Sequence, residues 1–553
     1  MKKIIAMLLA LVMVLALAAC GSSGANDSGT PDTEDNNSDA MTNIGATGMD
    51  EDAVRSDTYL RETVTIGSNS DGGSFNPYSR AGWGCSTGIF QPLANTDSNG
   101  VMRLCMIKSY EKVDDLTYNI ELWDCIRDSA GNNITADDVL WSVTKYVDEG
   151  NAGGVNCLDH VEVTGTYTFT WYCSSPFSLG DMEKNWGNFN VISQKAWEDS
   201  GADEMTTKPV GTGPYMLKDY VAGSYVLLEA NENFWMKDIT DETWLAENDY
   251  VTNYQNVQYI NLQIIQDAAS LAVALEMGEV DAVNTLNAAD VQNFINNPAL
   301  GCKSFNMKVN PPIAWYYNVS DQSECSDINL RKAICYALNN EALSQGLSLP
   351  GYVVYGMQPN MYDAPADWMS GREYYDYDLD TARQLVDQSS YDGSTLVIMY
   401  SGGTAVFEDM AVMMQAALKE IGISVELLPV DNAVLNSYKA DLTCWDLAFE
   451  TLGGGNYCSA TLKKWWTENN AKNMNGLNSI GIIDEKLDEL YVTLKADPTE
   501  ENIVAWDQYF TYDMCYGYAV CCYYNQSACR ADVNPVMVGA QNTLVPGAFT
   551  FEG

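Results

Sequence analysis

The sequence has a single histidine, His160, among 553 residues. Histidine is the usual general base beside a nucleophilic serine or cysteine and a frequent zinc ligand, so its scarcity argues against Ser-His and Cys-His catalysis and against histidine-based metal sites. No Walker-type loop, no Gly-x-Gly-x-x-Gly segment after a predicted strand and no Asp-x-Asp-x-Asp-Gly loop occurs, although calcium binding without such a loop stays open. We therefore predict no cofactor and no metal site.

Positive charge is also scarce. The chain has 29 Lys and Arg residues against 75 Asp and Glu residues, a formal net charge of −46. A surface of this charge repels nucleic acid and anionic lipid, which argues against both as partners. No pair of carboxylates stands out among so many, and we predict that the protein is not an enzyme. A glycosidase, which needs only two carboxylates, stays an alternative.

Long apolar runs are missing after the first twenty residues. Lys2 and Lys3 precede an apolar run at residues 4–17, which is too short to span a membrane comfortably. The run ends in Leu-Ala-Ala-Cys, which matches the processing signal of bacterial lipoproteins with Cys20 as the lipidated residue. A diacylglyceryl group supplies the two acyl chains that stable anchoring needs. We therefore predict a signal peptide at residues 1–20 and a lipid anchor on the extracellular side of the cell membrane.

The segment after the predicted anchor has almost no large apolar side chain. Residues 21–57 are rich in Gly, Ser, Asn, Asp and Thr, which predicts a flexible acidic tether. Of the 15 cysteines, fourteen remain besides Cys20, and no Cys-x-x-Cys spacing occurs. An even number in an exported chain permits disulfides, but thiols packed as small hydrophobes fit the sequence equally well. The sequence leaves these two alternatives open.

The most distinctive turn is Pro-Val-Gly-Thr-Gly-Pro-Tyr at residues 209–215. Two glycines and a proline within four residues favour a rigid turn, and Pro214 disfavours a helical conformation at Gly213. Alternating apolar residues follow at once. We therefore predict that the turn leads into a sheet.

Strands and helices alternate along most of the chain, whose length predicts two or three domains. Thr135 followed by Asp138 predicts a capping box at the start of a helix. Two strand–helix–strand units with parallel strands are predicted, and the methionine-rich helix of the second unit is interpreted as core. The predicted elements used below are the strands at 63–67, 118–123 and 165–172, the unit formed by 259–265, 268–277 and 278–282, the unit formed by 396–400, 406–421 and 423–430, and the helix at 500–514.

Several of these segments resemble motifs of the extracellular solute-binding proteins of family 5, the oligopeptide- and dipeptide-binding group that serves ABC importers. The motifs follow the family's order and are spread from about residue 63 to residue 423, so that together they span most of the mature chain. They are the turn at 209–215, Thr-Ala-Asp-Asp-Val at 135–139, Asn-Glu-Asn-Phe-Trp at 231–235 with Phe where the family has Tyr, Gly-Glu-Val-Asp at 278–281 and Asn-Leu-Arg-Lys-Ala-Ile at 329–334. The family has an arginine at the position of Arg331, for which we predict a structural role.

The resemblance implies an α/β fold of the periplasmic-binding-protein-like type II, with two lobes and an extra domain (cluster C type). The first lobe is discontinuous. The implied divisions are the first lobe at 58–100, 205–305 and 511–553, the extra domain at 101–204 and the second lobe at 306–510. A ligand would be trapped between the lobes by hinge closure.

The resemblance also implies ligand-binding residues in two loops. The polar loop after the first strand, which contains Ser68 and Asn69, lines the ligand cleft in the family. Trp83 lies between two glycines with no helix or strand pattern around it, so its own sequence leaves two alternatives open, exposure in the cleft and packing under a loop. In peptide-binding relatives a strand that begins with an Asp, matched here by Asp446, lies along the peptide. A later Asp pairs with the peptide's N-terminal ammonium, and that position holds Gly455 here.

The missing ammonium partner leaves the ligand open. Glu450 in the same strand is a candidate for a substitute charge, and the glycines at 453–455 let a backbone approach a ligand closely. We predict ligand contacts in this segment from Glu450, Thr451, Gly453, Gly454, Asn456 and Tyr457.

The implied function is that of a monomeric, lipid-anchored receptor. It captures a ligand, expected to be a peptide, and delivers it to the permease and ATPase subunits of an ABC importer. An oligosaccharide receptor of the same fold is the first alternative, because sugar sites favour aromatic platforms and the chain has 14 Trp and 33 Tyr residues. A lipid-anchored glycosidase and an adhesin or sensor without a transport role are further alternatives.

Overall fold

The computed structural model describes most of the chain after the predicted tether. The described residues are 53–70, 74–78, 88–96, 102–177, 181–283, 286–306, 312–347, 351–354, 373–402, 404–431, 434–451, 484–496, 500–523, 526–538 and 543–552. Within these ranges, no helix is both long enough and apolar enough to cross a membrane.

The described residues form strands and helices along most of their length. The strands are β1 (Arg61–Ser68), β2 (Ala94–Thr96), β3 (Met102–Leu104), β4 (Ile107–Asp114), β5 (Thr117–Leu122), β6 (Leu158–Gly165), β7 (Thr168–Cys173), β8 (Tyr215–Val221), β9 (Tyr225–Ala230), β10 (Val257–Ile264), β11 (Ala282–Val283), β12 (Cys302–Asn306), β13 (Pro312–Tyr317), β14 (Gly351–Val353), β15 (Leu396–Ser401), β16 (Val425–Val430), β17 (Leu447–Thr451), β18 (Gly517–Tyr523), β19 (Gln526–Arg530), β20 (Val533–Asn534), β21 (Met537–Val538), β22 (Thr543–Leu544) and β23 (Thr550–Phe551). The helices are α1 (Ala136–Tyr146), α2 (Asp181–Gly187), α3 (Gln194–Ser200), α4 (Ala202–Met205), α5 (Glu242–Asn248), α6 (Ala268–Met277), α7 (Ala288–Asn296), α8 (Ile328–Tyr336), α9 (Asn340–Gln345), α10 (Leu379–Gln388), α11 (Ala405–Lys419), α12 (Leu435–Ala440), α13 (Glu485–Ala496) and α14 (Glu500–Asp507).

A seven-stranded mixed sheet joins strands from distant parts of the chain. Its strand order is β12-β19-β11-β1-β10-β9-β8. β1 lies between β10 and β11 and is parallel to both, and its apolar residues Val64 and Ile66 are buried. The strand–helix–strand unit around α6 therefore has parallel strands, as predicted, but β1 is inserted between them.

The strand predicted at residues 278–282 is wrong in its first part. Gly278 has a left-handed backbone, with φ 75°, and caps α6. The Glu279 amide donates to Ala274 O at 2.9 Å. These bonds satisfy carbonyls at the helix end, so the strand begins only at Ala282.

The Pro-Val-Gly-Thr-Gly-Pro-Tyr turn is a place where two backbones touch. The Gly213 amide donates to Ile89 O at 2.8 Å, and the Tyr215 amide donates to Gly88 O at 3.2 Å. A Cβ atom on Gly211 would lie 2.1 Å from Ile89 O. Glycine is therefore required for the close approach itself, and the turn leads directly into β8, as predicted.

A four-stranded antiparallel sheet has the order β4-β5-β7-β6. The capping box predicted at the start of α1 is confirmed, since the Thr135 amide donates to Asp138 Oδ2 at 2.8 Å. The single strand predicted at residues 165–172 is wrong, because Gly165 ends β6 and Thr168 begins β7 after a turn. β6 is exposed along most of its length, so its sequence lacks the apolar alternation that would have marked it.

A six-stranded sheet has the order β14-β18-β13-β17-β15-β16. β15 and β16 are parallel and directly paired, and α11 connects them, which confirms the second predicted strand–helix–strand unit. Met410 and Met414 of α11 are fully buried in the core beside this sheet. The methionines are core residues, as interpreted.

The guanidinium of Arg331 ties α8 to the segment before β18. The residue is 3% exposed. Nε donates to Cys515 O at 2.9 Å and Nη2 donates to Met514 O at 2.8 Å. Nη1 donates to Cys325 O at 2.8 Å and to Ser326 O at 2.9 Å. This is the structural role that the sequence predicts for Arg331.

The helix predicted at residues 500–514 is interrupted. α14 ends at Asp507, and a π-helical turn at Gln508–Asp513 follows it. The Met514 amide donates to Tyr509 O at 3.0 Å, across five residues rather than four. The wider turn reverses the chain toward β18, which the apolar periodicity does not reveal.

We expect Asp327→Ala to lower the free energy of unfolding at pH 7 by about 1–2 kcal/mol. Asp327 caps α8, where its carboxylate accepts from the Asn329 amide at 2.7 Å and from the Ser390 amide at 2.8 Å. Burial alone would raise the pKa of this carboxyl, but the amide bonds outweigh burial and lower it. Because the pKa is lowered on folding, this stability is present above the unfolded value of about 4 and is lost as the pH falls through the folded value.

Urea denaturation of both proteins between pH 7 and pH 2.5 checks this expectation. The difference between them should shrink below about pH 4. Asp387→Ala, which removes an exposed carboxylate from α10, is the matched control and should change stability by less than about 0.5 kcal/mol. A difference for Asp327→Ala that stays constant down to pH 2.5 would contradict the assignment.

Candidate functional site

Ser68 and Asn69 lie at the carboxyl end of β1, beside the carboxyl ends of the parallel strands β10 and β11. Ligands of open α/β sheets bind beyond such ends. Ser68 is 4% exposed, and its Oγ donates to Ser70 O at 2.9 Å. Its hydroxyl therefore holds the turn of the loop, whereas the side chain of Asn69 is exposed. Of the two predicted residues, Asn69 has the side chain that a ligand can reach.

Glu450 and Thr451 are the last two residues of β17. They pair with Ala314 and Ile313 of the antiparallel neighbour β13. On the other side, among the described residues, β15 pairs with β17 only at Leu447 and Ala448. Among the described residues, the last three residues of β17 therefore pair with β13 on one side and with no strand on the other.

Residues 400–402, at the carboxyl end of β15, are candidates that the sequence analysis missed. β15 is parallel to β17, so its carboxyl end lies at the same edge of the sheet as Glu450 and Thr451. Burial and the nearby Glu408 carboxylate raise the pKa of the Tyr400 hydroxyl, and the side chains of Tyr400 and Ser401 are both buried. A serine and two glycines directly after an apolar strand are the sequence signal that would have found this segment.

Asp446, which matches the first residue of the family's peptide-binding strand, is hydrogen-bonded within its own chain. Oδ1 accepts from Ser323 Oγ at 2.5 Å, and Oδ2 accepts from the Val397 amide at 2.8 Å. Its backbone carbonyl accepts from the Asn318 amide at 2.8 Å. Asp446 thus joins the amino ends of β15 and β17 to the loop after β13, and its role is structural.

The remaining predicted site residues lie outside the described residues. They are Trp83, Gly453, Gly454, Asn456 and Tyr457, together with the lipidation candidate Cys20 and the replaced position Gly455. The side chains of Glu450 and Thr451 also lie outside the description, which covers only their backbone. The structure therefore places two parts of the predicted site, each at the carboxyl edge of a sheet.

An open polar pocket of about 400 Å³ lies at the opposite edge of the six-stranded sheet, at the amino ends of β15 and β17. Asp321, Glu324 and Asp446 line it. Burial, followed by the neighbouring Asp392 carboxylate, raises the pKa of Glu324. Because the predicted ligand residues are at the carboxyl edge, this pocket is separate from them. In the part of the chain that the structure describes, no three His, Cys, Asp or Glu side chains come together as metal ligands.

Comparison with known proteins gives a consistent result. A family model described as bacterial extracellular solute-binding proteins, family 5 Middle, matches residues 103–473, more than half of the chain. The chain is 23% identical over 478 residues to the oligopeptide-binding protein AppA of Bacillus subtilis (strain 168), with 78% of each chain covered.

Solved structures show the same fold at low sequence identity. NikA from Brucella suis, in complex with Fe(III)-EDTA, superposes with a TM-score of 0.72 at 17% identity, covering 89% of this chain and 100% of that one. AppA from Bacillus subtilis, in complex with a nonapeptide, superposes with a TM-score of 0.64 at 18% identity, covering 90% of this chain and 100% of that one. These likenesses confirm the predicted α/β fold with two lobes and an extra domain. The division points along the chain stay a prediction.

Proposed function

Because this chain belongs to the bacterial extracellular solute-binding proteins of family 5, we propose that it is a lipid-anchored receptor that captures a peptide between its two lobes and delivers it to the permease of an ABC importer. The family match supports solute binding for import. The relatives named for oligopeptide binding, AppA above all, support a peptide as the solute. The receptor acts as a monomer outside the cell, held to the membrane through Cys20, and has no catalytic role.

The observation that carries the peptide assignment is the side of β17 that faces β15. Along the last three residues of β17, the described residues provide no ladder partner on that side. β13 pairs with the whole of β17, from Leu447 to Thr451, whereas β15 pairs with it, within the described residues, only at Leu447 and Ala448. An extended peptide can add to such an edge through its backbone amides and carbonyls. An oligosaccharide lacks the regular spacing of donors and acceptors that pairs with a strand.

The glycines at 453–455 follow this edge in the sequence, where a missing side chain lets a ligand backbone approach. In our proposal Glu450 supplies the charge that faces the peptide's ammonium in place of the aspartate that Gly455 replaces. Asn69, Trp83, Thr451, Asn456 and Tyr457 complete the proposed contacts, and the buried hydroxyl of Ser68 holds the turn of the loop that presents Asn69.

The oligosaccharide alternative depends on the abundance of aromatic residues, and the structure reduces that support. Six of the 14 tryptophans are under 2% exposed and belong to the cores. They are Trp171, Trp186, Trp235, Trp315, Trp445 and Trp506. Aromatic side chains in the core cannot act as sugar platforms, so the abundance of tryptophan is in large part a feature of packing.

We expect tetra-alanine to raise the melting temperature of the full chain and N-acetyl-tetra-alanine to bind at least about tenfold more weakly. A ligand at about 100 times its Kd stabilises the folded state by ~2.7 kcal/mol, and a charge-assisted hydrogen bond to the ammonium contributes about 1.5–3 kcal/mol. Glu450→Gln should weaken tetra-alanine binding about 10- to 100-fold and leave the acetylated peptide unaffected. Thermal melts and isothermal titration calorimetry measure these effects.

Glu426→Gln, which changes an exposed carboxylate on β16, is the matched control and should bind tetra-alanine as the wild type does. A shift with maltotetraose and none with either peptide would overturn the peptide assignment. Equal affinity of wild type and Glu450→Gln for tetra-alanine would overturn the role of Glu450 alone.

Phase partitioning of the full chain, extracted from cells with detergent, tests the lipid anchor. The wild type should partition into the detergent phase, and Cys20→Ala should not.

A further inference from the structure

Two cysteines from distant parts of the chain face each other in the core beside the six-stranded sheet. Cys335 lies near the end of α8, and Cys515 lies directly after the π-helical turn that precedes β18. Their Sγ atoms are 3.6 Å apart, although the residues are 180 positions apart in the sequence. Both side chains are fully buried. Two sulfurs at van der Waals distance need only a small side-chain movement to reach the bond length of about 2.05 Å.

The surrounding residues hold the two thiols in this position. The Tyr317 hydroxyl lies 3.2 Å from Cys335 Sγ. On the other side, the guanidinium of Arg331 binds the carbonyl of Cys515 at 2.9 Å. Cys515 has a φ of 48°, the one left-handed backbone found at a non-glycine residue within the described ranges. A conformation that costs free energy persists only where neighbouring contacts impose it, so the approach of the two sulfurs is fixed by the fold.

We propose that Cys335 and Cys515 are joined by a disulfide in the exported protein. The oxidant is a second disulfide, either a small-molecule disulfide such as glutathione disulfide or the disulfide of an extracellular thiol oxidoreductase. The thiolate of one of the two cysteines attacks one sulfur of that disulfide and releases the other as a thiol, and the thiolate of the second cysteine then attacks the first cysteine's sulfur in the mixed disulfide. One S–S bond forms in the chain, the partner's S–S bond is reduced to two thiols, and the two protons of Cys335 and Cys515 end on them.

In the folded chain the two thiols have different electrostatic surroundings. Burial opposes ionisation of Cys515, but a hydrogen bond from the Cys335 thiol and the charge of Arg331 lower its pKa. Burial raises the pKa of Cys335. The fold therefore brings the two thiols into direct contact, which is the arrangement that a disulfide between them requires.

The burial of both residues fixes when the exchange can occur. An oxidant reaches them only before the segment around Cys515 docks against α8, which places the reaction during folding outside the cell. The finished bond would join α8, which follows β13, to the residue that leads into β18. β13 and β18 are antiparallel neighbours, and they are the first and last strands of the six-stranded sheet in the sequence. The disulfide would therefore link the beginning and the end of this part of the chain, whatever ligand the protein binds.

Mass spectrometry of the full chain tests the proposal directly. The chain is exported, blocked with N-ethylmaleimide in guanidinium chloride without a reductant, and digested. We expect a peptide pair linked through Cys335 and Cys515. Both residues recovered as N-ethylmaleimide adducts, or either one linked to a different cysteine, would overturn the proposal.

Thermal melts give a second readout that does not depend on the digest. Closing so long a loop should raise the melting temperature on the order of 5–10 °C, so a phosphine reductant should lower that of the wild type by this amount more than that of Cys335→Ala. Cys105→Ala removes another fully buried thiol and should respond to the reductant as the wild type does. If Cys335→Ala does not fold, the linked peptide of the wild type still decides, and equal reductant responses in wild type and variant would count against the bond.

Discussion

Gly213→Ala is expected to abolish folding of the seven-stranded sheet region or to lower the free energy of unfolding by at least about 4 kcal/mol. A Cβ atom on Gly213 would lie 1.9 Å from Gly88 O and 2.7 Å from the carbonyl carbon of Ile89. Both are backbone atoms, so no rotamer change can relieve the overlap. Moving the two segments apart would break the hydrogen bond that the Gly213 amide donates to Ile89 O at 2.8 Å.

Soluble yield and urea denaturation followed by tryptophan fluorescence measure this loss. Gly402→Ala is the matched control, since its added Cβ would be 3.5 Å from the nearest atom, Val430 O, at an ordinary contact distance. It should change the free energy of unfolding by less than about 1 kcal/mol. A Gly213→Ala protein within about 1 kcal/mol of the wild type would show that the two backbones are not held at this distance.

The effect should be large because the crossing is also the centre of a buried polar network. Trp235 Nε1 donates to Gln91 Oε1 at 2.8 Å and to Thr212 O at 3.0 Å. Gln91 Nε2 donates to Asn253 Oδ1 at 2.7 Å. Displacing the turn would leave several of these groups without partners in a site that water does not reach, and each such group costs about 1–3 kcal/mol. The turn and the Asn-Glu-Asn-Phe-Trp segment are thus parts of one structure, although the sequence separates them.

Local features of the fold were predictable from the sequence. The turn at 209–215, the capping box of Thr135 and Asp138, and the strand–helix–strand unit around α11 depend on neighbouring residues, and all three are present. The insertion of β1 between β10 and β11 depends on residues some two hundred positions apart. Periodicity contains no information on such a pairing, so the sheet order could come only from the resemblance.

The candidate site was predictable only in part, for a related reason. The resemblance aligned Asp446 with a position in a binding strand, but a carboxylate before a strand can bind a ligand or its own chain, and the sequence does not distinguish the two. Here Ser323 and Val397, from two other segments, occupy its oxygens. Residues 400–402 were missed because no family motif covers them, and only the parallel pairing of β15 with β17 places them at the same edge.

Arg331→Met is expected to lower the free energy of unfolding by about 4 kcal/mol or more. The substitution keeps most of the aliphatic volume but leaves the carbonyls of four residues without their charged donor, and these were bound at 2.8–2.9 Å. Removing a buried partner costs about 1–3 kcal/mol for each group left unsatisfied. Arg331→Lys should recover part of the loss, because one ammonium cannot reach all four carbonyls in the geometry of the guanidinium fork.

The loss of stability should appear first in the residues around 514 and 515, because Arg331 joins α8 to them. Hydrogen exchange measured by mass spectrometry should show faster exchange of the amides at 508–523 in Arg331→Met, whereas those of the four-stranded sheet should exchange as in the wild type. Lys332→Met is the matched control, since the ammonium of Lys332 lies 5.7 Å from the centre of the Tyr512 ring, and its loss should cost less than about 1 kcal/mol. Equal effects of the two substitutions would mean that charge in the first turns of α8, and not the four carbonyl bonds, determines the stability of this region.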